Sequence, residues 1–115
     1  MKFTDIKTKL VEILEEEGKF ISAYQICQKL ETNFPDIWKS LLKEYLSKSP
    51  ETPMGKGTGV HYSPANFVAN ALSKFLKDSG IKGLIQESFS CAGVSFNGIE
   101  PGYTGNTVGI WAIRR

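Results

Sequence analysis

Apolar residues recur at helical spacing in four stretches of the chain, which predicts four helices. The first covers about residues 4–17 and ends at Gly18, a residue that suits the left-handed position after a helix. The second begins at Ser22, because Ser22 and Gln25 have the spacing of a capping box. It runs to about residue 30 or 31.

The third predicted helix follows a short break at residues 32–35 and ends near residue 47. The fourth covers residues 63–79 and has the widest apolar stripe, so we expect it to be the central packing element. Ser63 is its predicted N-cap, and Gly80 is expected to close it in the left-handed conformation.

Beyond the fourth helix the pattern changes to the partial alternation that is typical of strands. Residues 84–96 and 107–113 are the two predicted strands, and the stretch between them is rich in turn-forming residues. They predict an antiparallel β-hairpin over residues 83–114, packed on the helices. The fold class is therefore α+β: four helices, the first three arranged like a helix-turn-helix, followed by a C-terminal antiparallel β-hairpin.

The order of the first three helices, over residues 4–46, is that of a tri-helical helix-turn-helix core. Residues 21–30, Ile-Ser-Ala-Tyr-Gln-Ile-Cys-Gln-Lys-Leu, resemble the first helix of the helix-turn-helix in winged-helix transcription factors. The resemblance covers about residues 5–47 and implies DNA binding. Winged-helix proteins place their β-hairpin soon after the third helix. Here a loop rich in Gly and Pro, residues 47–62, and a further helix come first.

Length and composition indicate one globular domain of 115 residues. Cys27 and Cys91 lie far apart and form no disulfide framework, so we expect free thiols in a reducing compartment. The chain has no secretory signal and no apolar run of membrane-spanning length, so we expect a cytoplasmic protein with no membrane partner. The net charge of +2 is too small to indicate nucleic-acid binding by itself.

The leading functional hypothesis is a small nucleic-acid-binding or regulatory module of helix-turn-helix type. On a recognition helix, lysines at the spacing of Lys39 and Lys43 would contact phosphates, and Ser40 would face base edges. Lys56 in the glycine-rich loop and the C-terminal Arg114 and Arg115 would contact further phosphates. DNA is the expected partner.

Two alternatives remain open. The first is a protein-interaction or homodimeric module, of the kind carried by bacterial genomes or mobile elements, with the hairpin edge and Tyr103 as its interface. The second is a small anion or ligand binder at the glycine-rich loop and the helix start that follows it. Its candidate residues are Gly57, Gly59, His61, Tyr62 and Ser63. No motif indicates an enzyme, a cofactor or a metal site.

Overall fold

The structure of the protein is a computed structural model that describes residues 1–45, 62–90 and 107–114. Within these residues it contains four α-helices and a small sheet of three strands, which confirms the α+β class. The helices are α1 (Phe3–Glu17), α2 (Ala23–Asn33), α3 (Pro35–Glu44) and α4 (Tyr62–Lys77). The strands are β1 (Ile21–Ser22), β2 (Leu84–Ser90) and β3 (Thr107–Ile113).

The three strands lie in the order β1-β3-β2, and both neighbouring pairs are antiparallel. β2 pairs with β3 along its full length, from Leu84 opposite Ile113 to Ser90 opposite Thr107. The connection between these strands, residues 91–106, lies outside the described residues, as do Cys91 and the predicted extension of β2 to residue 96. The strand pairing thus agrees with the predicted hairpin, whose turn stays a prediction.

The start of α2 confirms the predicted capping box. The Ser22 hydroxyl accepts from the Gln25 backbone N–H at 3.2 Å, and the Ser22 backbone N–H donates to Gln25 Oε1 at 2.9 Å. The same two residues that lead into the helix, Ile21 and Ser22, also form β1 opposite Trp111 and Ile110. This short strand was not predicted, and it ties the start of α2 to the sheet.

The break between α2 and α3 is shorter than the sequence pattern predicts. α2 continues to Asn33, and α3 begins at Pro35, so Phe34 alone separates the two helices. Proline suits the first position of a helix, because its missing N–H would have no intrahelical partner there. Phe34 is half-buried, and the Lys9 ammonium lies over its ring, 4.9 Å from the ring centre.

α4 differs from its prediction at both ends. It begins at Tyr62, so Ser63 lies in its first turn and is not its cap. At the other end Ser79, and not Gly80, takes the left-handed conformation (φ 58°), and the Gly80 N–H donates to the Phe75 carbonyl at 2.8 Å. A Cβ at Gly80 would lie 2.9 Å from Asp78 Oδ1 and 3.0 Å from Phe75 Cδ1, so a larger residue would require these side chains to move.

The core lies between the helices and the sheet. Its fully buried aliphatic side chains come from α1, α2, α3 and α4: Ile6, Leu10, Ile13, Leu14, Ile26, Leu30, Leu41, Val68 and Leu72. Cys27 is a free, buried thiol in this core, and burial together with the Glu31 carboxylate raises its pKa. Among the described residues, no helix is long and apolar enough to cross a membrane.

Candidate functional site

α4 has one buried face and one exposed polar face. Its apolar residues point into the core, where Val68, Ala71 and Leu72 have no exposed surface. The opposite side carries four exposed polar residues at spacings of four, three and four, which place them on one line along a helix. We call them the polar stripe: Asn66, Asn70, Ser73 and Lys77.

The charge of α4 sets it apart from the other described helices. α4 contains no acidic residue and ends with Lys74 and Lys77 in its last turn. α1 has five acidic residues against two lysines, whereas in α2 and in α3 acidic and basic residues are equal in number. Among the four described helices, α4 alone therefore carries an excess of positive charge.

The C-terminal lysines of α4 are available to an anionic partner. Lys74 Nζ lies 3.3 Å from Asp78 Oδ2, and both side chains are about half exposed or more. An exposed ion pair of this kind contributes little to stability. Lys74 can therefore leave Asp78 and bind another anion at little cost in free energy.

A first groove of about 590 Å³ runs along one flank of α4. Its α4 wall is formed by Ser63, Asn66, Phe67 and Asn70, and the facing wall comes from the start of the chain and the end of α3. In that facing wall Lys2 is exposed, and Phe3 and Tyr45 pack on Phe67 with ring centres 5.2 and 4.8 Å away. The groove thus has an aromatic floor with amide and ammonium groups beside it.

A second, smaller groove of about 130 Å³ follows the other flank of α4. It lies between Ala65, Asn66 and Ala69 of α4, the first residues of α2, and β3 from Thr107 to Trp111. Asn66 borders both grooves. The N-terminal half of α4 is therefore a ridge with a depression on each side, and Asn66 lies on its crest.

α3, the helix first expected to contact DNA, has a mixed surface. Lys39, Ser40 and Lys43 are all exposed, as the sequence predicts. Asp36 and Glu44 are exposed on the same helix, and the Glu44 carboxylate contacts the amino group of Met1. The role of these three residues in DNA binding stays a prediction.

Arg114 is exposed at the end of β3, and its backbone N–H donates to the Gly83 carbonyl at 2.7 Å. This places it beside the connection between α4 and β2, away from the N-terminal half of α4.

Six other residues of the predicted sites lie outside the described residues, so their roles stay predictions: Lys56, Arg115, Tyr103, Gly57, Gly59 and His61. Of the proposed ligand site, Tyr62 begins α4 and Ser63 borders the first groove.

Two further observations bear on the alternatives. The outer edge of β2 pairs with no other described strand, so the predicted interface at this edge stays a prediction. Within the described parts of the chain, no group of three or more His, Cys, Asp or Glu residues could hold a metal ion.

The sequence analysis missed Asn66, Asn70 and Ser73 because it treated α4 only as a packing element. A signal was present in the sequence: residues 62–77 contain no acid, and their polar residues share one helical face. A surface helix that only solvates a fold is typically rich in charges of both signs.

Comparisons with known proteins give no family for this chain. No protein-family model, no curated protein and no solved structure matches it.

Proposed function

We propose that this protein binds double-stranded DNA and that the exposed face of α4 enters the major groove. The observation that carries the proposal is the acid-free polar stripe on a helix that forms a ridge. The α-helix with its side chains is about 10–12 Å wide, and the major groove of B-DNA is about 12 Å wide. Among the described residues, the groove on each flank of this ridge leaves room for a sugar-phosphate wall.

The position of the sheet supports α4 as the DNA-contacting helix, although the resemblance over residues 5–47 puts α3 in the recognition position. The resemblance to winged-helix proteins implies that a β-hairpin follows soon after the recognition helix. In this chain α4 is the helix followed directly by β2, with six residues between them. α3 would then be an additional helix between α2 and the recognition helix.

The charged groups around the ridge suit a DNA backbone. Lys2 borders the first groove, and Lys74 and Lys77 lie at the C-terminal end of α4. Each lysine that neutralises a phosphate releases condensed counterions, so affinity should fall as salt rises. Base edges would face the uncharged part of the stripe.

The proposal is tested by the binding of a fluorescently labelled duplex of about 20 base pairs, titrated at several salt concentrations. We expect affinity to fall steeply with salt, and the slope to decrease by about one for Lys74→Ala and for Lys77→Ala. Lys39→Ala and Lys43→Ala on α3 are the matched controls and should leave the slope unchanged.

Two results would contradict the proposal. One is a wild-type protein that does not bind duplex DNA even at low salt. The other is a protein whose salt dependence changes with the α3 variants and not with the α4 variants, since that would place the interface on α3.

A further inference from the structure

We infer that Asn66 and Asn70 make this DNA binding sequence-selective by reading adenines in the major groove. This inference rests on the proposed DNA binding through α4. It assigns a specific ligand chemistry to two exposed carboxamides for which the described residues show no packing or capping role.

The position of the two asparagines favours contact with bases over contact with phosphates. They are the fifth and ninth residues of the 16-residue α4, so Asn66 lies in its N-terminal half and Asn70 lies just past its midpoint. Recognition helices contact base edges with their N-terminal residues. Asn66 borders both grooves and therefore lies on the crest of the ridge, the part that would penetrate deepest.

The chemistry of the carboxamide selects the base. An asparagine side chain can accept a hydrogen bond from the N6 amino group of adenine and donate one to N7, and this bidentate pair is specific for adenine. Lysines at the same positions would favour guanine, and acids would favour cytosine. The polar stripe places Asn66 in the N-terminal half of α4, Asn70 just past its midpoint, and its lysine, Lys77, at the C-terminal end.

The spacing predicts two adenines close together. Residues four apart on a helix are separated by about 6 Å along its axis. Successive bases of one strand are about 3.4 Å apart. Asn66 and Asn70 should therefore read positions about two steps apart.

The test is selection of bound duplexes from a random pool, followed by sequencing. The wild-type protein should enrich adenine at two nearby positions. Asn66→Ala should remove one preference and Asn70→Ala the other, each with a loss of affinity for the selected duplex of about tenfold. Asn33→Ala is the matched control, because Asn33 is exposed at the end of α2, and it should retain both preferences.

A modified base identifies the contact itself. Replacing the selected adenine with 7-deazaadenine removes the N7 acceptor and should weaken wild-type binding. The same replacement should have no further effect on the asparagine variant that has lost that contact. Circular dichroism checks that each variant is folded, which we expect because alanine favours an exposed helical position.

The outcomes separate this inference from the proposed function. Salt-dependent binding with no base preference, or preferences unchanged in both asparagine variants, would overturn adenine reading and leave DNA binding in place. Absence of any duplex binding by the wild-type protein would overturn both.

Discussion

Two described glycines have left-handed backbone, and their surroundings differ. Gly18 ends α1 with φ 64°, and a Cβ built on it would meet no atom within 4 Å. Gly83 precedes β2 with φ 81°, and a Cβ there would lie 2.5 Å from the Arg114 carbonyl oxygen. The backbones of Gly83 and Arg114 are already joined by a hydrogen bond, so neither side can move away without loss of that contact.

We therefore predict that Gly83→Ala is more destabilising than Gly18→Ala. Gly18→Ala should lower the free energy of unfolding by about 1 kcal/mol, the cost of a left-handed alanine. Gly83→Ala adds a backbone clash and should cost about 2–4 kcal/mol. Urea denaturation of both variants measures the difference, and equal losses would contradict the packing at Gly83.

At the scale of elements, Ser22 belongs both to the cap of α2 and to β1. Its hydroxyl is fully buried and accepts the hydrogen bond from Gln25. Removal of the hydroxyl leaves the part-buried backbone N–H of Gln25 without this acceptor at the point where the helix joins the sheet.

Ser22→Ala should therefore lower the free energy of unfolding by about 1–2 kcal/mol, as for a strong N-cap. The control is Thr32→Ala in the same helix, where an exposed hydroxyl donates to the Gln28 carbonyl. It should change stability by less than about 0.5 kcal/mol. A Ser22 variant as stable as the Thr32 variant would show that the cap is dispensable.

The elements that the sequence predicted well are those with local signals. The capping box at Ser22 and the left-handed Gly18 depend on residues within one or two turns, so both are confirmed. β1 was missed because two residues are too few to show an alternation of polar and apolar positions. Its partner residues, Ile110 and Trp111, are also far from it in the sequence. The end of α4 was misplaced because Ser79, which is not a glycine, takes the left-handed conformation that the sequence pattern assigns to Gly80.

The candidate site could be predicted only in part. The polar stripe follows from helical spacing and could have been found in the sequence. The ridge could not, because its flanking grooves are formed by the start of α1, the end of α3, the start of α2 and β3, which only the fold brings together.

At the scale of the whole molecule, the helices differ in charge although the net charge is small. α1 has an acidic C-terminal end, at Glu15, Glu16 and Glu17, whereas α4 has no acid at all. Lys29 Nζ of α2 lies 3.1 Å from Glu17 Oε1, so part of the basic charge of the molecule is paired with the acidic end of α1. The distribution, more than the net value, orients a molecule in the field of a polyanion.

The central claim is that α4 is the DNA-contacting helix. The most direct measurement is a titration of ¹⁵N-labelled protein with duplex DNA at low salt, followed by two-dimensional NMR. We expect the largest shifts at Asn66, Asn70 and Ser73, including the side-chain amides of the two asparagines. Shifts confined to Lys39, Ser40 and Lys43 of α3, or no shifts at all, would contradict the account.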